Sequence, residues 1–234
     1  MPLLPNDSAR AESSRRPKKL IIQIPCLNES DTLPLTVGAL PRAVEGFDCV
    51  EYLVIDDGST DGTSERALEL GVDHVITFPK NRGLALAFSA GLDAALNLGA
   101  DCIVNTDADN QYNAESIATL VKPILDGDAD IVIGNRETDQ IPHFSVLKKW
   151  LQKLGSWVVR KLSYTQVADA TSGFRAYSRE AAMRIHITST FSYTLESIIS
   201  AGHNNLSIAS VPVKTNPRSE EHTSELQSRP GISY

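Results

Sequence analysis

Five short runs rich in isoleucine and valine recur along the chain, at 20–24, 52–55, 74–78, 102–106 and 131–133. Each is too short to be a buried helix, and between them lie segments with helical spacing. The clearest are 84–98, with Leu84, Phe88, Gly91, Leu92 and Ala95 on one stripe, and 115–125, with Ile117, Leu120, Val121 and Ile124. Strand, helix, strand in repetition leaves little choice: the runs pair as a largely parallel sheet whose two faces are covered by helices, an α/β/α sandwich. With 234 residues, 41% hydrophobic and 22% charged, the chain carries enough apolar material for one main domain of this kind. That domain is expected over 19–217, with a polar, disordered lead-in over 1–18.

In such sheets ligands bind just beyond the carboxyl ends of the strands, and there the sequence turns polar. The first run is followed by PCLNE (25–29), the second by DDGSTDG (56–62), the third by NRG (81–83) and the fourth by DAD (107–109). Each piece has an ordinary explanation alone, since Asp-Gly-Ser-Thr is good turn and helix-capping sequence. Together they place acidic and polar groups along one rim. Carboxylates crowded there repel one another, and a hard divalent cation, Mg2+ or Mn2+, accounts for them while leaving positions open for phosphate oxygens. Asp107 and Asp109 are the candidate metal ligands on a nucleotide diphosphate, whose charge builds as it leaves. Asp56 and Asp57, which can only accept hydrogen bonds, suit a nucleobase or ribose hydroxyls.

Charge narrows the partners. A formal charge of -7 gives no general attraction to nucleic acid, so any anionic partner must meet a local basic site. The three cysteines, Cys26, Cys49 and Cys102, sit among apolar residues without metal-binding spacing and read as buried thiols in a reducing compartment. The N-terminus lacks a signal-peptide core, and no stretch approaches the roughly eighteen apolar residues of a membrane span. A cytoplasmic location is expected.

The ordered set PCLNE (25–29), DDGSTDG (56–62), Asn81 and Gly83 with Ala87 and Gly91, Asp107 and Asp109 with Gln111, GNR (134–136) and SGFR (172–175) resembles the family 2 glycosyltransferases of the GT-A fold. Within that family it is most similar to the polyprenyl-phosphate sugar transferases, such as dolichol-phosphate mannosyltransferase. The resemblance implies an inverting transfer of a sugar from a UDP- or GDP-linked donor to a membrane polyprenyl phosphate. It implies that Pro25, Asn28, Glu29 and Asn81 line the nucleotide pocket with Asp56, Asp57 and Asp107. Gln111 would join Asp107 and Asp109 at the metal, and Arg136 and Arg175 would face the acceptor's phosphate. A sugar-hydroxyl acceptor would instead need a carboxylate base. Asp169 is the candidate for that role, or an orienter of Arg175 if no base is needed, with Glu196 on a helix over 193–201 second.

The segment 146–162, VLKKWLQKLGSWVVRKL, spaces Leu147, Trp150, Leu151, Leu154, Trp157, Val158 and Leu162 helically among lysines and arginines. Such a basic amphipathic helix suits a membrane surface, and equally a stripe buried on the sheet. It points to peripheral attachment at the cytoplasmic face. The tail at 218–234 has no apolar periodicity and is expected to be disordered. Residues 218–228 resemble the translation of a sequencing-adapter oligonucleotide and read as non-native. Two other classes fit parts of the pattern. A nucleotidyltransferase would also set an acidic metal site on an α/β sheet, but would open with a glycine-rich basic loop where PCLNE stands. A non-catalytic or truncated nucleotide-sugar-binding module shares every motif.

Overall fold

The computed structural model describes residues 16–136, 169–187 and 193–216. Among them seven strands form one sheet: β1 (Lys19–Cys26), β2 (Cys49–Asp56), β3 (His74–Thr77), β4 (Cys102–Asn105), β5 (Ile131–Asn135), β6 (Arg175–Ser178) and β7 (Ile208–Pro212). Their order is β3-β2-β1-β4-β6-β5-β7. Every neighbouring pair is parallel except the two made by β6, which runs against β4 and β5. The expected mostly parallel α/β/α sandwich is therefore the fold, with one antiparallel insertion.

Among the described residues six helices cover it: α1 (Leu33–Ala39), α2 (Thr63–Glu69), α3 (Leu84–Asn97), α4 (Ser116–Leu125), α5 (Arg179–Arg184) and α6 (Tyr193–His203). One core joins Leu20, Ile22 and Ile24 of β1 to α1, α2 and α4; the other joins Ile21, Leu53 and Ile103 to α3, α5 and α6. Because successive strand residues point to opposite faces and both faces are dry, the strands read as unbroken apolar runs. Helix α3 lies so close to the sheet that a Cβ on Gly91 would come within 2.5 Å of Gln23 Oε1 and 2.8 Å of Ile55 Cδ1. Only glycine permits that approach.

The boundaries differ slightly from expectation. Strand β3 ends at Thr77 rather than 78, and residues 16–18, expected in the lead-in, are held on the domain: Arg16 donates to Gly99 O at 2.8 Å and pairs with Asp101, and the Lys18 amide donates to Asp48.

The chain leaves β1 through α1 on one face to reach β2, and enters β4 from α3 on the other. Strands β1 and β4 are nonetheless neighbours. The crossovers diverge there and leave a crevice beyond the carboxyl ends of those two strands.

Candidate active site

Two braced loops make one wall of that crevice. Asp57 is buried, and its carboxylate accepts from the backbone amides of Arg82 at 2.7 Å and Gly83 at 2.8 Å, tying the loop after β2 to the loop after β3. The fit is tight: Gly58 has φ +79°, and a Cβ on it would lie 2.4 Å from the Lys80 carbonyl carbon. Pro25, Glu29, Asp57, Asn81, Asp107 and Asp109 line one cleft of about 370 Å³. Five of the residues expected around a nucleotide, with Asp109 of the expected metal site, are thus brought together from four strand ends.

Asn28 and Asp56 are placed otherwise. Asn28 takes the left-handed conformation at φ 55°, its side chain accepting from the Thr60 amide at 2.9 Å and its own amide donating to Ser59 Oγ at 2.8 Å. Asp56, buried, accepts from the Ser59 amide at 2.8 Å and from the Ser64 hydroxyl. Neither lines the cleft. Their short polar side chains satisfy the backbone of the DDGST turn, so they shape the pocket from behind rather than offer acceptors to a ligand.

Asp107 lies two residues beyond the end of β4, with Asp109 after it. Burial, then the charge of Asp109, pushes the Asp107 carboxyl up to about 6, with Glu29 adding to the rise and Arg136 opposing it. A divalent cation would remove that repulsion, and the donors offered are oxygens, which suits Mg2+ or Mn2+ rather than a softer metal. Among the described residues no group of three or more His, Cys, Asp or Glu could hold a metal alone. Two carboxylates with the remaining positions left to phosphate and water is how Mg2+ is usually bound. Gln111, half-buried, does not line the cleft; its amide donates to Asp109 Oδ1 at 3.1 Å, and its carbonyl accepts from the Asn216 amide at 2.8 Å.

Arg136 follows β5 on the same rim. It forms a two-pronged pair with Asp169, Nε to Oδ2 at 2.8 Å and Nη2 to Oδ1 at 3.1 Å, and also donates to Thr171 Oγ1 at 3.0 Å. Burial would raise the Asp169 carboxyl, but the hydrogen bonds and charge of Arg136, with Thr171, outweigh it and hold it below its ordinary value. Asp169 therefore orients Arg136, not Arg175.

Arg175 corrects the sequence reading. It is wholly buried, and its guanidinium donates to the carbonyls of Ser172, Thr194 and Ala170 and to Ser197 Oγ, all at 2.7–2.8 Å. Buried, with its donors turned to three carbonyls and the Ser197 hydroxyl, it cannot meet an acceptor phosphate in this arrangement; it ties the segment around Ser172 to α6. Glu196 is half-buried on α6.

Behind Asp107 the structure joins Gln23, Asn105, Tyr112 and Tyr193, which the motifs did not single out, to Gly173 of the SGFR motif. The one signal in the sequence was a glutamine inside the apolar strand KLIIQIPC. Cys26 and Cys102 are buried and their thiols pushed up by it, Cys102 to about 12, while Cys49 is only half-buried. The helix expected over 146–162 and the tail at 218–234 lie outside the described residues. Among the described residues no helix is long and apolar enough to cross a membrane.

The profile of the family described as Glycosyl transferase family 2 matches residues 21–185. The chain is 31% identical over 214 residues to the polyprenol monophosphomannose synthase of Mycolicibacterium smegmatis, covering 85% of this chain and 78% of that protein. It is 29% identical over 175 residues to the undecaprenyl-phosphate mannosyltransferase of Micrococcus luteus, covering 72% and 70%. Among solved structures it is similar to glucosyl-3-phosphoglycerate synthase from Mycobacterium tuberculosis, in complex with Mn2+, UDP and glucosyl-3-phosphoglycerate. That match has a TM-score of 0.65 and 21% identity, over 92% of this chain and 77% of that one.

Proposed function

This chain belongs to glycosyl transferase family 2 and is a glycosyltransferase, and from that premise we propose that it transfers a sugar, with inversion and with a divalent metal, from a nucleotide-diphosphate sugar to a polyprenyl phosphate at a membrane surface. The observation that carries the reading is the meeting of Asp107 and Asp109 with Glu29, Asp57 and Asn81 around one cleft at the β1/β4 crevice. The relatives named for polyprenyl-phosphate mannose transfer support the acceptor, and the likeness to a synthase crystallised with Mn2+ and UDP supports the metal.

Asp107 and Asp109 would hold Mg2+ or Mn2+, with Gln111 a further candidate ligand. When bound, the ion supplies positive charge for the departing diphosphate. Asp57 fixes the wall against which the nucleoside packs. In the single displacement the bond between the anomeric carbon and the diphosphate oxygen breaks, its electron pair leaving with the nucleotide, as an acceptor oxygen bonds from the opposite side.

The state of Asp169 favours an anionic acceptor. A carboxylate gripped by Arg136 and held below its ordinary proton affinity is a poor base for a sugar hydroxyl. A lipid phosphate is already ionised and needs alignment and charge screening, which Arg136 can give. The catalytic domain is assigned to 19–217, acting from the cytoplasmic face.

The test is a panel of UDP- and GDP-sugars with Mn2+ or Mg2+, followed as hydrolysis and as transfer to a short polyprenyl phosphate. Transfer should vanish on chelation and in Asp107→Asn with Asp109→Asn. An unchanged rate in that double variant rejects the metal assignment, and transfer to a saccharide alone rejects the acceptor.

A further inference from the structure

Building on the reading of Asp107 as a metal ligand, we infer that Asn105 is a positioning residue, which sets the Asp107 carboxylate through the backbone of Gly173. Asn105 is the last residue of β4, wholly buried, and directly opposite Gln23 of β1. Its Oδ1 accepts from Gln23 Nε2 at 2.8 Å, and its Nδ2 donates to Gly173 O at 2.8 Å and to Tyr193 Oη at 3.3 Å. One side-chain amide therefore joins two central strands, the segment before β6 and the start of α6.

Gly173 is where this bracket meets the acid pair. Its amide donates to Tyr112 Oη at 3.2 Å, so both its N–H and its carbonyl are tied. A Cβ on Gly173 would stand 3.1 Å from Asp107 Oδ1, 3.3 Å from Oδ2 and 2.9 Å from Tyr193 Oη. The bare α-carbon is thus the floor on which the Asp107 carboxylate rests. The tyrosines are held in turn: Tyr193 stacks on Phe88 at 4.3 Å between centroids, and Tyr112 on Phe174 at 4.8 Å.

Stability alone does not explain the bracket. Two amides in the middle of a dry sheet lose their hydration, and Gln23 Oε1, facing Gly91, finds no hydrogen-bond partner. Aliphatic side chains of similar size would pack between the same strands without that cost. What they could not do is fix Gly173, and with it a carboxylate, in one position.

The test uses the full chain and reads free Mn2+ by its paramagnetic resonance signal, in saturating UDP or GDP, beside thermal unfolding and the kinetics of transfer. Gln23→Leu with Asn105→Leu removes both partners of the central bond. The variant should unfold cooperatively yet bind Mn2+ about 10- to 100-fold more weakly, the usual cost of losing an outer support of a metal ligand, with kcat falling more than the donor KM rises. Gly173→Ala, which keeps the Gln23–Asn105 bond but raises the floor under Asp107 and presses on Tyr193 Oη, should weaken Mn2+ binding in a protein that still unfolds cooperatively. Wild-type Mn2+ affinity in a folded Gln23→Leu/Asn105→Leu protein overturns the inference; should that protein not fold, wild-type affinity in Gly173→Ala does so. Wild-type chain that binds no Mn2+ with either nucleotide overturns the metal reading itself, a result distinct from equal binding by wild type and variants.

Discussion

Arg136 and Asp169 meet as a fork on a carboxylate, with Nε–Oδ2 at 2.8 Å and Nη2–Oδ1 at 3.1 Å, and the acid side chain is only 4% exposed. The Arg136 side chain, 25% exposed, is held in place, and its charge acts on Asp107 on the same rim. A cation already oriented by an acid can receive a phosphate without first being ordered.

Arg136→Lys keeps the charge and loses the fork. We expect transfer to polyprenyl phosphate to fall by about tenfold or more, the scale of one misaligned charged contact, while Mn2+ binding with nucleotide is unchanged. Steady-state kinetics varying the acceptor, set beside Mn2+ binding, separate the two; equal acceptor kinetics would falsify the acceptor role.

The same pair gives a pH dependence of definite sign. Asp169 is held below its ordinary value in the folded chain, so its contribution is fully present above about pH 4, the unfolded carboxyl pKa, and is lost as pH falls through the lower folded value. The gap in Tm between wild type and Asp169→Asn should be constant from neutral pH to about 5 and close below 4. A gap that persists unchanged at pH 3 contradicts a charge pair there.

Gly58→Ala should be costly twice over. Its φ of +79° disfavours a side chain, and the new Cβ would run into the backbone of Lys80 and Asn81 at 2.4–2.5 Å. Since backbone cannot step aside as a flexible side chain can, we expect a loss of about 2–4 kcal/mol in denaturant unfolding. Nucleotide binding should weaken with it, because Asn81 lines the cleft.

Arg175→Met should act on folding. Removing a buried guanidinium leaves the carbonyls of Ala170, Ser172 and Thr194 without that donor, at a cost of about 3–5 kcal/mol. Urea unfolding measures it. An Arg175→Met protein as stable as wild type but inactive would restore Arg175 to the acceptor site.

The sheet was legible because it is buried on both faces. Isoleucine and valine runs such as LIIQI and YLVI have no solvent side to alternate toward, and the helices between them carry their stripes openly. The cleft residues Pro25, Glu29, Asp57, Asn81, Asp107 and Asp109 were legible for a related reason, since a parallel sheet delivers all its strand ends to one rim. Strand β6 was not, because it is reached only after 137–168 and its RAYS sequence has neither length nor periodicity to mark it.

Side-chain direction lay beyond the motifs. Asn28 and Asp57 sit in equally polar loops, yet one turns back onto Thr60 and the other stays at the cleft; Arg136 and Arg175 stand in similar motifs, yet one reaches the rim and the other is sunk among carbonyls. The sequence by itself determined the layered fold, the rim and the acidic pair, because hydrophobic period and strand-end polarity are local properties of the chain. Only the tertiary structure decided which polar groups face a ligand and which brace the backbone, because nearly all buried donors and acceptors must find partners. Those partners come from distant strands and loops, 82 positions apart in the chain for Gln23 and Asn105.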